Sequence, residues 1–197
     1  MNNKLKPDLD RRRALKLMGV TALSAAVASC TNKSTENIMA LGQTVGLKES
    51  EVPTDKMTYS TVNDDKVSIL GFGCMRFPTT ADGKIDEVAA EKLVDYAMAH
   101  GVTYYDTAWP YHNGESEPFV GRAMKKYPRE SFYFATKLPC WDVKVREDAT
   151  RIFHEQLAHL QSDYVDFYLL HALNGERFRE IRDMGVIDDM IELQKQG

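Results

Sequence analysis

Apolar positions along the chain fall into three regimes. Leu17 to Ser29 (LMGVTALSAAVAS) is an unbroken run of apolar and small residues behind Arg11-Arg12-Arg13. Residues 31–56 are polar with no sustained period, as expected of a tether. From Met57 onward, strand-like and helix-like patterns alternate. MTYSTV and KVSIL, parted by Asn-Asp-Asp, predict a hairpin whose second arm runs on into GFGCMRF. Asp86 to His100 predicts a helix, with Asp86 as N-cap and Gly101 past its end. VTYYDTA is an apolar run of strand length. Ser116 is then placed to cap a helix whose Phe119, Val120, Ala123 and Met124 share a face and which stops before Pro128. FYFATKLP is the next strand, Arg146 to Leu160 the next helix, and VDFYLLHAL (Val165 to Leu173) another strand. Arg177 to Gln196 has helical character with a break at Gly185.

Strand–helix alternation repeated four times predicts an α/β fold with a parallel sheet and right-handed crossovers. The strands are apolar almost throughout, which suits strands covered on both faces. Chemistry in such folds gathers at the carboxyl ends of the strands. Those ends are where the informative residues stand.

Composition changes this picture little. The 197 residues are 43% hydrophobic and 27% charged, with a net charge of −4, enough for one folded domain. A mildly acidic balance without a basic block argues against a nucleic-acid partner. Cys30, Cys74 and Cys140 are too scattered to build an iron–sulfur cluster or a zinc site, and no metal site is expected.

The amino-terminal pattern does add something. A basic head, a short apolar stretch and VASC predict an export signal over residues 1–30. The apolar run is too short to cross a hydrocarbon core of about 30 Å. DRRRALK resembles a twin-arginine signal, and VASC resembles a lipobox in which Cys30 is acylated. The mature protein would then lie on the periplasmic or cell-envelope face, anchored in the membrane through that lipid. The alternative is a frayed amphipathic helix in which Cys30 is an ordinary small residue.

At the strand ends the first run closes in Gly71-Phe72-Gly73-Cys74-Met75-Arg76, and the second at Asp106 with Tyr111 beyond. The third closes at Lys137 and the fourth at His171. A phenol, with its pKa of about 10, is a weak acid at neutral pH. An ammonium beside it favours the phenolate, and a carboxylate paired with that ammonium fixes it in place. An imidazole can hold a carbonyl oxygen in line with the phenol. Taken singly, each residue has a plainer role in packing or as a snorkelling surface charge. Together, at consecutive strand ends, they make a proton donor matched to an incoming hydride. His100, His112, His154 and His159 show no partner pattern and are expected on the surface or on helices.

The stretch DTAWPYHNGESE resembles the D-T-A-x-x-Y-x-x-G-x-S-E motif of the aldo-keto reductases, through Asp106, Thr107, Ala108, Tyr111, Gly114, Ser116 and Glu117. ATK ending in Lys137 and LLH ending in His171 are similar to that family's third- and fourth-strand motifs. GFGCMRFP and LLHALN resemble the bacterial branch that often ends in a ferredoxin-like four-iron–four-sulfur segment. That cluster is expected only in full-length relatives, not in this chain.

The resemblance implies a (β/α)8 TIM barrel, of which residues 57–197 supply the first four units behind an N-terminal hairpin. It implies NAD(P)H-dependent reduction of a small carbonyl substrate, aldehyde or ketone, to an alcohol. Tyr111 is then the general acid, Lys137 tunes it, Asp106 completes the couple and His171 orients the carbonyl. Gly114 and Ser116 shape the turn and Glu117 locks it. Cys74, Met75 and Asp106 match positions near the nicotinamide ribose of NADP(H) or NAD(H), and Trp109 matches a position lining the substrate pocket. For Cys74, packing as a small buried residue stands equally open. A chain ending at Gly197 also carries the expectation of a fragment, whose second reading is a non-catalytic lipoprotein serving as a binding module.

Overall fold

The computed structural model describes residues 53–197. The expected export signal, Cys30 and nearly all of the 31–56 tether lie outside the described residues.

Strands β1 (Tyr59–Val62) and β2 (Asp65–Ser68) pair antiparallel with Val62 opposite Asp65, so Asn63 and Asp64 alone make the turn. Asn63 takes φ 53°, a left-handed conformation that Asn adopts more readily than most residues and that two-residue hairpins require. The second arm does not continue into Gly71-Phe72-Gly73 as the apolar run suggested. Ser68 and Thr103 exchange two hydrogen bonds of 2.9 Å, backbone N–H to hydroxyl in each direction. The Ser68 hydroxyl also donates to the Leu70 carbonyl at 2.7 Å. Ile69 and Leu70 therefore turn outward, and β3 (Gly71–Gly73) joins a different sheet.

That sheet has the order β3–β4–β5–β6, all parallel, with β4 at Tyr104–Asp106, β5 at Tyr133–Pro139 and β6 at Phe167–His171. Each strand leads into helix: α1 (Glu87–Ala99), α2 (Ser116–Met124), α3 (Arg146–Leu160), and the pair α4 (Gly175–Asp183) and α5 (Val186–Gln196). The register sorts the side chains, because alternate residues of a strand face opposite sides. Tyr105, Phe134, Thr136 and Leu138 point into the helix layer, where they are buried. Asp106, Lys137 and His171 share the other face, at its carboxyl end, in register with Gly73, Leu169 and Pro139 respectively.

Local chemistry explains the helices. Asp86 accepts the Ala89 N–H at 3.1 Å, satisfying one of the orphan donors of α1. Asp148 reaches back to the N–H groups of Lys144 and Val145 at 2.9 and 3.0 Å, which starts α3 and holds its own pKa down at about 2. The break between α4 and α5 falls at Gly185, with φ 81°. Helices α2 and α3 cross closely at Gly121, where a Cβ would lie 2.6 Å from the Leu160 backbone. Buried Phe119, Met124, Ile152 and Leu160 fill this layer, each contributing about 1.5–3 kcal/mol on leaving water.

Candidate functional site

The site grows from the end of β4. The carbonyl of Asp106 accepts the N–H of Cys74 at 2.8 Å, and Thr107 donates its N–H to the Ala135 carbonyl at 2.8 Å. Three consecutive strand ends are thus tied before any side chain acts. The Thr107 carbonyl is left facing the end of β5.

Lys137 uses that geometry fully. Its side chain is only 12% exposed. Its Nζ lies 2.6 Å from Asp106 Oδ1, 2.7 Å from the Thr107 carbonyl and 3.3 Å from the Tyr111 hydroxyl. An ammonium has three N–H donors and no acceptor, so each proton has one partner here. Two of those partners are anchored in the sheet, and the third is the phenol. The ammonium also lies 4.8 Å from the centroid of the Tyr111 ring.

Tyr111 opens a 3-10 turn, Tyr111–Gly114, with its N–H on the Ala108 carbonyl at 3.0 Å. The turn then leaves the helical region at His112, Asn113 and Gly114, with φ of 52°, 55° and 89°. His171, the last residue of β6, meets the Tyr111 ring edge-on at 5.9 Å and 87°. Trp141 lies 5.1 Å away on the same imidazole. Burial, and then the nearby Lys137 charge, lower the His171 pKa, with Asp106 opposing. Both causes favour the neutral ring, which has one N–H to offer, and among the described residues its buried Nδ1 has no partner.

All four predicted catalytic residues therefore meet at one rim. The other expectations divide. Cys74 is fully buried in the core cluster with Phe77 and Phe119, so the packing alternative describes its side chain. Burial raises its thiol pKa well above the ordinary range. Met75 stands 53% exposed at the same loop. The Trp109 indole, half-buried, stacks on His159 at 5.4 Å and packs against the core between β5 and α3.

Ser116 is not a cap but the first residue of α2. Its hydroxyl donates to the Cys74 carbonyl at 2.9 Å and meets Thr107 Oγ1 at 3.0 Å. Glu117 does more than lock a turn. Its buried carboxylate accepts from Thr136 Oγ1 and Gln156 Nε2, both at 2.6 Å, and pairs with His159 Nδ1 at 3.2 Å. Gln156 further donates to the Lys137 carbonyl at 3.1 Å and accepts from the Tyr168 hydroxyl at 2.7 Å. This buried network holds the Thr136 hydroxyl and the Lys137 carbonyl, next to the Lys137 Cα. His159, expected on the surface or a helix, lies on α3 with Glu117 as partner, while Gln156 and Tyr168 were not foreseen. The one available sign was a glutamine in an otherwise apolar stripe of α3.

Residues 69–197 match the family model described as "Aldo/keto reductase family". "Aldo-keto reductase YhdN" of Bacillus subtilis is 33% identical over 150 residues, covering 66% of this chain and 45% of that protein. "Probable aldo-keto reductase 1" of Glycine max is 32% identical over 117 residues, covering 55% of this chain and 34% of that one. Among solved structures, the holo form of aldo-keto reductase AKR11C1 from Bacillus halodurans is 31% identical with a TM-score of 0.51, over 66% of this chain and 48% of its own. An aldo-keto reductase of Klebsiella pneumoniae solved with NADPH is 25% identical, TM-score 0.51, over 64% and 46%. The chain thus spans between a third and a half of the length of these relatives.

Proposed function

The chain belongs to the aldo/keto reductase family, and from that premise we propose that its rim reduces the carbonyl of a small aldehyde or ketone, with Tyr111 delivering the proton. One observation carries this reading: the Lys137 ammonium spends two of its protons on fixed sheet acceptors and directs the third at the Tyr111 oxygen.

The residues present fit a nicotinamide. Gly73 is in register with Asp106, and a Cβ built on it would meet nothing within 4 Å, so the side of the rim next to the carboxylate is open. Met75 and Asp106 would hold the nicotinamide ribose there, while Cys74 can offer only its backbone. When bound, the reduced ring supplies a hydride to the carbonyl carbon. The chain's own residues do the rest. Neutral His171 holds the carbonyl oxygen through its single N–H. As charge gathers on that oxygen, the Tyr111 O–H bond breaks toward it, completing the alcohol. The phenolate left behind stands beside Lys137, whose charge Asp106 keeps in place, and water returns its proton. A positioned acid of this kind contributes about 10²–10⁴ in rate. The Klebsiella relative's NADPH supports the phosphorylated dinucleotide as reductant.

The test is direct. The full chain is mixed with NADPH or NADH and a panel of aliphatic and aromatic aldehydes and ketones, and absorbance at the reduced-nicotinamide band is followed. Loss of the band, faster with NADPH, is expected. No turnover of either cofactor above the uncatalysed rate, with every carbonyl, overturns the reading and leaves the binding-module alternative.

The same proposal extends to residues 1–30, on sequence grounds alone. Export followed by acylation of Cys30 places the reductase on the envelope face. Labelled palmitate incorporated by cells expressing the chain, and lost in C30A, is the expected outcome; equal labelling of both contradicts it.

A further inference from the structure

The segment carrying Tyr111 leaves the phenol along a strained path. His112 and Asn113 hold φ/ψ of 52°/43° and 55°/35° in succession. Left-handed backbone costs a residue with a Cβ about 1–2 kcal/mol, and it persists only where the surroundings hold it. Backbone bonds of the segment run from Tyr111 N–H to Ala108 and from Glu115 N–H to the His112 and Tyr111 carbonyls. Just beyond the turn, Ser116 bonds the Cys74 carbonyl, and a further tie to the loop after β3 comes from the side chain of His112. Its Nε2 accepts the N–H of Phe77 at 3.0 Å, and its ring lies 5.8 Å from the Phe77 ring at 32°. Phe77 is itself immobilised, 5% exposed and edge-on to Phe119 of α2 at 4.9 Å.

We propose that His112 is a positioning residue: by accepting the Phe77 amide proton it ties the loop after β3 to the left-handed turn after β4, and so fixes where the Tyr111 phenol stands against Lys137. The imidazole suits this job. To accept at Nε2 it must be neutral, with its proton on Nδ1. Burial supports that state by lowering its pKa, against an opposing pull from Glu115. The arrangement also joins the two loops that flank the proposed nicotinamide position, those bearing Met75 and Tyr111. The consequence for catalysis rests on the reading of Tyr111 as proton donor; the tether itself does not.

Nuclear magnetic resonance on the full chain separates the two. In a long-range proton–nitrogen spectrum near neutral pH, where the ring is neutral, His112 is expected as the Nδ1–H tautomer with Nε2 bare. In H112G, glycine adopts the left-handed backbone freely but removes the acceptor. Exchange of the Phe77 amide should then rise by about tenfold or more, while Val94 and Leu138 keep their protection. The Tyr111 ring signals should shift in the same variant. A proton on Nε2, Phe77 exchange unchanged in H112G, or unmoved Tyr111 signals would each overturn the proposal. Should H112G not fold, the wild-type tautomer still decides. If carbonyl reduction is absent while these signals behave as expected, the tether stands and the reductase reading falls.

Discussion

Two cation–carboxylate couples sit at opposite ends of the same parallel strands, and they are built to opposite specifications. At the amino ends of β5 and β6, Arg129 bonds Asp166 at 2.6 Å, the Phe132 and Tyr164 carbonyls at 3.0 and 3.2 Å, and Ser162 Oγ at 3.1 Å. Its guanidinium also stacks 3.9 Å from the Tyr164 ring, and Asp166 takes the Phe134 N–H besides. Four of the guanidinium's five N–H donors have protein acceptors there. At the carboxyl ends, Lys137 and Asp106 are also tightly paired, yet the couple points one donor at a phenol whose own proton has no acceptor among the described residues. The closed end spends its donors on structure; the open end leaves the phenol proton unspent. That division agrees with the general habit of barrels, in which the amino-terminal face serves stability and the carboxyl-terminal face serves chemistry.

The largest expected break of this contrast comes at the open end. K137M removes the ammonium from Asp106, Thr107 and the phenol at once, and carbonyl reduction should fall by roughly 10²–10⁴, as for loss of a positioned acid–base partner. Steady-state rates in the reduced-nicotinamide assay check this; a loss below tenfold would mean the couple does not serve the phenol.

R129A attacks the closed end. It strands Asp166, 15% exposed, and should cost about 3 kcal/mol of unfolding free energy. Lys137 and Tyr111 keep their geometry, so the rate per folded molecule should stay within about twofold. Urea titration beside the rate assay measures both.

A smaller effect belongs to the buried network behind Lys137. E117Q keeps one oxygen for the donors of Gln156 and Thr136 but removes the charge and puts an N–H₂ where Oε2 faces His159 Nδ1, and should cost about 1–3 kcal/mol. Thermal unfolding of the variant checks it.

The smallest effect is a pH dependence. Burial first, and for His171 the Lys137 charge next, hold the imidazoles of His112 and His171 below their ordinary range. The unfolded chain takes up protons on them near pH 6.5, where free imidazoles titrate, and the folded chain resists. Stability is therefore full above that range and declines as pH falls toward the lowered folded values. Urea midpoints at acidic and neutral pH should show a decline that shrinks in H171N. An equal decline in both assigns it to other groups. Asp148, held at about 2, adds a further loss only at lower pH.

Much of this was legible in the linear sequence because it depends on period and on strand ends. Helix α3 runs from Arg146 to Leu160, as its apolar spacing predicted. Asp86 caps α1, and Asp106, Tyr111, Lys137 and His171 converge because each terminates, or follows, an apolar run in a parallel sheet. What stayed hidden depends on partners from distant elements. Ser116 looks like a cap until the Cys74 carbonyl and Thr107 hydroxyl come within its reach. Trp109 shows no partner in the linear sequence, where His159, which stacks against it, lies fifty residues on. His112 reads as surface until the Phe77 amide arrives from another loop. The outward turn at Ile69 and Leu70 was missed for the same reason, since an apolar run cannot show that Ser68 is committed to Thr103.

The central claim is that the Tyr111 phenol gives up the proton, and single-turnover hydride transfer in wild type and Y111F tests it most directly. With saturating NADPH and one carbonyl substrate, the account predicts a fall of about 10²-fold or more in Y111F, with cofactor affinity and thermal stability unchanged. Equal transfer rates in the two proteins would contradict it.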